Sequence, residues 1–358
     1  MLKSVSILNT LLGLAMVAGC GPSRSSDSSG ATGDTSHVKL QGSGASFPAP
    51  LYGHWFKQFS SETPGVRVDY QAKGSGGGIK DFIEHTVDFA ASDAAMNDDE
   101  ISQVDAGVVL LPLTAGSVVL AYNLPSLEQP LKLSREAYSK IFLGEIARWN
   151  DPVIAEMNEG ADLPDLPVTV VVRADSSGTT YVFTNHLSAI SEGFASGPGT
   201  GKSVSWPESD KFIAAPKNDG VTATIMQTPG AIGYVEFGFA AQAKLPMAGL
   251  ENQSGKVIAP TLENAAAALA TVAMPEDMRA WLPDPVGEQA YPIVSYTWLL
   301  CYQKYDDENK AQALKDLVRW CLTTGQSSAP EMGYVALPPN VIESVQAKLD
   351  SIHSNKVN

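Results

Sequence analysis

"VTVVVRADSSGTTYVFT", residues 168–184, joins a strand-like run to a helix-like segment through a turn of small polar residues. The run 168–172 consists of β-branched residues, which favour a buried strand. The apolar residues Phe183, Leu187 and Ile190 then recur at the spacing of one helix face. A strand followed directly by a helix is the repeating unit of α/β proteins. The segment therefore predicts an α/β fold and places Arg173 and residues 177–179 at a strand-to-helix turn.

The same alternation of strand and helix patterns recurs along the chain. Further strand patterns occur at 38–42, "VRVDYQ" (66–71), "VDFAAS" (87–92) and "SVVLAYN" (117–123). Apolar helical stripes follow two of them, at Leu51, Trp55 and Phe59 and at Ile79, Phe82 and Ile83. Pro48 is placed for the first position of the earlier helix. This rhythm predicts largely parallel sheets.

Small polar residues follow the predicted strands at corresponding positions. Ser46 follows the first strand, Ser75 the second, and Asp93 ends the third. In open α/β sheets, ligands bind at the carboxyl ends of the strands, where helix N-termini offer free N–H groups. Arg173 adds a planar fork that suits two oxygens of a tetrahedral oxyanion. Each feature alone is common as a helix cap, a loop or an ion pair, but their recurrence predicts turns that converge on one anion.

Composition and length set the outer limits. The chain has 358 residues, with 24 basic and 39 acidic side chains and a formal net charge of −15. A chain of this length buries a large core and is expected to form two lobes. The absence of a basic stripe in the sequence argues against a nucleic-acid partner. A net negative charge does not exclude an anionic ligand, because a buried site responds to its local donors.

The N-terminus predicts export. Residues 1–19 resemble a bacterial lipoprotein signal peptide, and "VAGC" (17–20) resembles the motif at which Cys20 becomes the lipidated first residue of the mature chain. The alternative is an ordinary signal peptide followed by a chance cysteine. Residues 20–37 are rich in Ser and Gly and predict a flexible tether. We therefore expect an extracytoplasmic protein that contacts the membrane only through a lipid anchor.

Cys301 and Cys321 are the two cysteines left after this assignment. Cys301 lies in a strand-like run, and Cys321 shares an apolar helix face with Leu314, Leu317 and Val318. An exported compartment permits a disulfide, but two separately buried thiols fit the pattern equally well. The spacing does not suggest a zinc site, and we expect neither a metal nor a cofactor.

Six motifs, in order, resemble the phosphate-binding proteins of bacterial phosphate ABC importers. They are "GSGASFPAP" (42–50), "YQAKGSGGGIK" (70–80), "VDFAASDA" (87–94), "FLGEIARWND" (142–151), "RADSSGTTYVFT" (173–184) and "PGAIGYVE" (229–236). The resemblance implies a type II periplasmic-binding-protein architecture, with two α/β lobes, mixed and mostly parallel sheets, and a two-strand hinge. It places lobe 1 at 38–113 and 294–358 and lobe 2 at 114–293. Phosphate would bind between the lobes.

The resemblance also implies a set of ligands and partners. The phosphate ligands would be Ser46, the backbone N–H of Phe47, Ser75, Asp93, Arg173, Ser177, Gly178 and Thr179, with Asp175 holding Arg173 by an ion pair. Ser46 stands where many members have Thr, and Ser176 stands where Gly is common. Asp93 would accept the proton that phosphate carries and sulfate lacks. The expected partners are the permease subunits of a phosphate importer, with the binding protein itself a monomer.

Four other functions are compared with this one. "SGPGTGKS" (196–203) resembles a nucleotide-binding P-loop, but Ser196 stands where the motif needs Gly, and no strand precedes it. A phosphatase is the rival enzyme, yet no nucleophile elbow surrounds Ser177, and the histidines are scattered. A binder of sulfate or molybdate is the rival binding protein, and Asp93 argues against it because these ions carry no proton. A structural lipoprotein would not need the clustered donors.

Overall fold

The computed structural model describes residues 38–354. These residues belong to the unit His37–Asn358, one of two into which the chain divides. The predicted signal peptide, the tether and Cys20 lie outside the described residues. No helix within residues 38–354 is long and apolar enough to cross a membrane.

The helices and strands alternate over most of the chain. The first half contains β1 (Val38–Gly44), α1 (Ala49–Glu62), β2 (Val66–Ala72), α2 (Ser75–Ile83), β3 (Phe89–Ser92), α3 (Asp98–Ile101), β4 (Val108–Tyr122), β5 (Lys132–Leu133), α4 (Arg135–Phe142), α5 (Pro152–Ala155), β6 (Thr169–Arg173) and α6 (Gly178–Ile190). The middle contains α7 (Glu192–Ser196), β7 (Phe212–Ala215), α8 (Lys217–Gln227), β8 (Ala231–Glu236), α9 (Phe237–Gln242), β9 (Gly249–Glu251), β10 (Val257–Ile258) and α10 (Leu262–Leu269). The last part contains β11 (Val294–Tyr302), β12 (Lys304–Tyr305), α11 (Glu308–Leu322), two short 3₁₀ helices (Gly325–Ser328 and Pro330–Met332), α12 (Pro339–Leu349) and β13 (His353–Ser354).

Eight strands form one mixed sheet in the order β2-β1-β3-β11-β4-β8-β6-β7. The β2-β1-β3 block is parallel, and so is the β8-β6-β7 block. We call the part of the protein built on the first block the first lobe and the part built on the second block the second lobe. The pairs β3-β11, β11-β4 and β4-β8 are antiparallel and lie between the two blocks. This confirms the predicted α/β class with mixed sheets in a two-lobed, periplasmic-binding-protein-like fold.

Strands β4 and β11 connect the two lobes. β11 pairs with residues 108–117 of β4, whereas residues 118–122 of β4 pair with β8. β4 therefore begins beside the first lobe and ends inside the second. The sequence predicts only its second half, at 117–123, because Pro112 interrupts the strand pattern. The structure places Pro112 opposite a register shift at Trp298, where a missing N–H is tolerated.

The predicted strand-to-helix units are confirmed with small shifts at their ends. β3 begins at Phe89 rather than Val87, and α1 begins at Ala49, so Pro48 occupies the cap position just before the helix. Helix α6 begins at Gly178 because Ser177 caps it, its side chain accepting a hydrogen bond from Thr180 N.

The two remaining cysteines are free, buried thiols, so of the two alternatives the structure has the unpaired one. Cys301 lies on β11, and Cys321 lies on the buried face of α11 with Leu317 and Val318. Burial raises the pKa of both thiols above its ordinary value, which keeps them protonated and unreactive.

Candidate functional site

Arg173 lies at the centre of the candidate site, at the carboxyl end of β6, and its side chain is only 1% exposed. Nη2 donates to Ser46 Oγ and Nη1 donates to Thr179 Oγ1, both at 3.2 Å. Nε and Nη2 also donate to the Asp175 carboxylate at 2.8 and 2.6 Å. Burial alone would raise the pKa of Asp175, but the hydrogen bonds and charge of Arg173 outweigh it and leave the pKa below its ordinary value. One guanidinium thus contacts the turn after β1 and the start of α6.

Asp93 is the buried acid of the site. It follows β3 and is 1% exposed. Thr297 Oγ1, on β11, donates to Oδ1 at 2.9 Å, and Ser75 Oγ lies 3.5 Å from Oδ2. Burial raises the pKa of Asp93 to about 7, against the opposing effects of Thr297, the Arg173 charge and Ser75. An acid with this pKa can hold or release a proton near neutral pH.

Gly178 brings the second lobe against Ser75 and Asp93. A Cβ at this position would lie 2.3 Å from Ser75 Oγ and 2.6 Å from Asp93 Oδ2, far inside van der Waals contact. Gly76 N donates to Ser176 O at 3.0 Å beside this contact. Any side chain at residue 178 would hold the turns apart, which is the physical reason for glycine here.

Helix N-termini surround the same place. The helices α1, α2 and α6 begin at Ala49, Ser75 and Gly178, so their free N–H groups and positive dipole ends lie at the turns that carry the site. The backbone N–H of Phe47 has no acceptor within residues 38–354, although its carbonyl accepts from Tyr334 OH at 2.7 Å. Ser177 Oγ caps α6, so the helix-cap interpretation also holds for this residue. The site is rich in donors that can face an anion.

Asn218 is a residue of the site that was not predicted from the sequence, and it is completely buried in the first turn of α8. Its Nδ2 donates to Ser46 Oγ at 3.1 Å and to Thr179 Oγ1 at 3.3 Å. The available signal in the sequence is its position shortly after a strand. β7 ends at Ala215, three residues before Asn218, just as the other strands end shortly before their site residues. β7 has only four residues and is partly exposed, so it lacks a clear strand pattern.

Glu236 is a second buried acid; it lies in the motif "PGAIGYVE" (229–236), but no role for it was predicted from the sequence. It lies at the end of β8 and is completely buried. Its carboxylate accepts from Gly238 N at 2.8 Å, and its own N–H donates to Asn218 Oδ1 at 3.0 Å. Burial raises the pKa of Glu236 well above its usual range, which favours the neutral acid.

Two ion pairs join α3 to segments that come much later in the chain. Lys202 Nζ contacts Glu100 Oε1 with both side chains less than one-fifth exposed. Arg279, in the segment between α10 and β11, contacts Asp98 at 2.7 Å. Both acids lie on α3, which follows β3. Lys202 belongs to the P-loop-like segment 196–203, which has a helix before it and none after it, so that segment is an inter-lobe contact.

The described histidines are not arranged for catalysis. His54, His85 and His353 are exposed. His186 is buried, and its ring nitrogens contact Tyr138 OH at 2.9 Å and the Pro283 carbonyl at 2.7 Å. Burial lowers the pKa of His186 to about 4, so the ring is neutral at pH 7. No cluster of His, Cys, Asp and Glu suited to a metal ion occurs within residues 38–354. The donors around Arg173, together with the buried acid Asp93, suit the binding of an oxyanion that carries a proton.

Comparison with known proteins shows which family this chain is similar to. Residues 26–324 match the model of a PBP superfamily domain. The chain is 35% identical over 345 residues to the phosphate-binding protein PstS of Xylella fastidiosa, covering 92% of this chain and 93% of that protein. It is 38% identical over 312 residues to the phosphate-binding protein PstS of Pasteurella multocida, covering 86% and 89%. A high-affinity periplasmic phosphate-binding protein (PfluDING), solved with bound phosphate, superposes with a TM-score of 0.71 at 23% identity, covering 87% of this chain and 93% of the other.

Proposed function

Because the chain belongs to the PstS phosphate-binding proteins of the PBP superfamily, we propose that it captures inorganic phosphate between its two lobes and delivers it to an ABC importer. The protein is a transport receptor and not an enzyme, and phosphate is its ligand rather than a cofactor. One observation supports the site more than any other. Arg173 in the second lobe hydrogen-bonds Ser46 in the first, so the donors of both lobes lie around one buried place.

The proposed ligand set divides between the lobes. The first lobe supplies the hydroxyls of Ser46 and Ser75, the N–H of Phe47 and the carboxylate of Asp93; the second supplies Arg173, Ser177, Gly178 and Thr179. Asp175 orients Arg173 through its two hydrogen bonds. We place the first lobe at 38–113 and 294–358 and the second at 114–293, as the family resemblance implies; β4 passes from its pairing with β11 to its pairing with β8, and β11 begins at Val294. The boundaries predicted from the sequence are kept in this proposal.

Asp93 provides the selectivity in this proposal. A carboxylate in a buried site repels a fully ionised oxyanion but accepts a hydrogen bond from one that still carries a proton. Phosphate carries a proton near neutral pH, and sulfate does not. The burial of Asp93 makes the repulsion strong, because few water molecules screen it.

The protein works outside the cytoplasm, as its relatives' role requires. We propose that residues 1–19 are removed, that Cys20 carries the lipid anchor, and that residues 20–37 tether a monomeric binding domain to the membrane surface. Closure of the lobes buries phosphate, and the closed form docks on the permease subunits of the importer. We expect the Lys202–Glu100 ion pair to form when the lobes close.

Titration calorimetry of the purified protein with phosphate, arsenate and sulfate tests the proposal. We expect phosphate to bind and arsenate to compete, because both carry a proton, whereas sulfate should bind more weakly than either at pH 8. Arg173→Lys should lower the affinity for phosphate at least tenfold, because one ammonium group cannot replace the several N–H donors of the planar guanidinium. Arg135→Lys is the matched control, since Arg135 makes a similar two-bond pair with Asp284 outside the candidate site.

Three results would contradict the proposal. They are the absence of phosphate binding, sulfate binding as tight as phosphate binding, and equal effects of the two arginine substitutions. A parallel assay for phosphate release from a phosphomonoester separates binding from hydrolysis, and we expect no release above the uncatalysed rate.

A further inference from the structure

Two hydroxyl oxygens of the site each accept hydrogen bonds from at least two nitrogen donors. Ser46 Oγ accepts from Arg173 Nη2 at 3.2 Å and from Asn218 Nδ2 at 3.1 Å. Thr179 Oγ1 accepts from Arg173 Nη1 at 3.2 Å and from Asn218 Nδ2 at 3.3 Å. All four residues are buried. The guanidinium and the amide therefore approach the same pair of oxygens together.

A hydroxyl has two lone pairs and one hydrogen. When both lone pairs accept fixed N–H donors, the hydrogen must point elsewhere, and the hydroxyl can act toward a ligand only as a donor. A hydroxyl with one free lone pair can instead rotate and present an acceptor. Arg173 cannot supply this constraint alone, because it places a single nitrogen on each oxygen.

The orientation of the Asn218 amide is fixed by its other contact. The N–H of Glu236 reaches Oδ1 at 3.0 Å, and since a backbone N–H only donates, this end of the amide must be the oxygen. The NH₂ end then has to face Ser46 and Thr179. Lys217, the preceding residue, has a φ of 59°, a left-handed conformation that is unfavourable for a non-glycine residue. The backbone N–H of Lys217 donates to Asp175 at 2.8 Å and holds the turn in this conformation.

We propose that Asn218 is a positioning residue that makes the Ser46 and Thr179 hydroxyls donors only, and thereby gives the site its preference for an oxyanion with accepting oxygens. The inference rests on the proposed function and adds to it a residue outside the expected ligand set. Asn218 acts through the hydroxyls and needs no contact with the ligand. Asp93 is then left as the acceptor for the ligand's proton.

Thr179 depends on the Asn218 side chain more than Ser46 does. The backbone N–H of Asn218 also lies 3.4 Å from Ser46 Oγ, so Ser46 keeps a second donor when the side chain is replaced. Among residues 38–354, the side-chain Nδ2 of Asn218 is the only donor to Thr179 Oγ1 in addition to Arg173. The effect of a substitution at residue 218 should therefore pass mainly through the Thr179 hydroxyl.

A double-mutant cycle on phosphate affinity tests this pathway. Asn218→Leu should lower the affinity for phosphate about tenfold in the wild-type background, a loss typical of one well-placed hydrogen bond. In the Thr179→Val background, the same substitution should weaken phosphate less than threefold, because the hydroxyl it acts on is gone. A purely structural role would give the same loss in both backgrounds and would overturn the inference.

Two further variants keep the test decisive if Asn218→Leu folds poorly. Asn218→Asp retains an oxygen for Glu236 N–H but replaces the donating NH₂ with an acceptor, so the Thr179 hydrogen is drawn away from the ligand. We expect it to bind phosphate more weakly than Asn218→Leu, and equal or tighter binding would overturn the inference. Asn252→Leu is the matched control, because Asn252 is equally buried but its side-chain NH₂ donates to the carbonyls of 287, 288 and 290, outside the candidate site. It should lower the melting temperature and leave phosphate affinity unchanged.

The outcomes for the proposed function and for Asn218 are separate. A wild-type protein that does not bind phosphate overturns the proposed function and this inference with it. A wild-type protein that binds phosphate, with Asn218→Leu and Asn218→Asp both within twofold of its affinity, overturns only the role of Asn218.

Discussion

Sulfate binding by the wild-type protein should depend steeply on pH, and Asp93→Asn should remove that dependence. Asp93 lies buried at the site, and its burial raises its pKa to about 7. Sulfate has no proton to share with a carboxylate, so it can bind without repulsion only when Asp93 is protonated. Below pH 7 the acid is already protonated and the penalty is small, whereas above pH 7 a proton must be taken up at a cost that grows with pH.

The size of the penalty follows from the pKa. At pH 8, one unit above a pKa of about 7, protonating Asp93 costs about 1.4 kcal/mol, which weakens sulfate about tenfold. At pH 9 the loss reaches about 100-fold. An asparagine carries no charge at any of these values. Sulfate should therefore bind Asp93→Asn about tenfold more tightly than wild type at pH 8, and the affinity of Asp93→Asn for sulfate should not change between pH 7 and pH 9.

Titration calorimetry of both proteins with sulfate between pH 6 and pH 9 measures this directly. We expect the wild-type dissociation constant to rise about tenfold per pH unit above 7 and to level off below it. A flat wild-type profile, or an equal slope in the two proteins, would refute the reasoning. So would an Asp93→Asn variant that fails to bind sulfate across the whole range.

The pKa of Asp93 can also be checked without sulfate, through the stability of the ligand-free protein. Between about pH 4 and about pH 7, Asp93 is protonated in the native state but ionised in the unfolded state. Its contribution to the free energy of unfolding is therefore fully present at low pH and is lost as the pH rises through this interval. The free energy of unfolding of wild type, relative to Asp93→Asn, should fall by at most about 4 kcal/mol over this interval. Urea unfolding at several pH values measures it, and a difference that rises with pH would contradict the raised pKa.

Two other substitutions test closure of the lobes. Gly178→Ala should weaken phosphate binding about 100-fold without lowering the melting temperature, because its Cβ would lie 2.3 Å from Ser75 Oγ and hold the lobes apart. Gly53→Ala is the control, because its Cβ meets nothing within 4 Å, and it should leave phosphate affinity unchanged in the same calorimetric titration. Equal effects of the two substitutions would contradict the steric argument. Lys202→Met should raise the rate of phosphate release about fivefold in stopped-flow experiments, because its pair with Glu100 is mostly buried and links the lobes. An unchanged release rate would show that this ion pair does not stabilise the closed form.

The parts of the fold that the sequence predicts correctly are those with strong local signals. The run 168–172 and the apolar stripe of α6 specify one strand-to-helix unit without reference to the rest of the chain. Arg173 and Asp175 are two residues apart, so their ion pair is also local. The recurrence of small polar residues after the strands predicts that distant turns meet at one site, and the family motifs then imply which residues of those turns bind phosphate.

The features missed by the sequence analysis depend on distant contacts or on broken patterns. Asn218 meets Ser46 across 172 positions of sequence, and nothing near Asn218 indicates that contact. β4 has 15 residues, but Pro112 and Gly116 divide it into two apparent segments. Lys202 lies in a segment whose glycines suggest a nucleotide loop, and only the folded chain shows that its partner is Glu100.

A crystal structure of the protein with phosphate is the most direct test of the central claim, that donors from both lobes enclose one proton-bearing oxyanion. We predict a tetrahedral anion within hydrogen-bond distance of the Arg173 guanidinium, the Thr179 hydroxyl and one Asp93 oxygen, with Asn218 Nδ2 still on the hydroxyls and not on the anion. Phosphate bound elsewhere, or bound at this place with Asp93 turned away from it, would contradict the account.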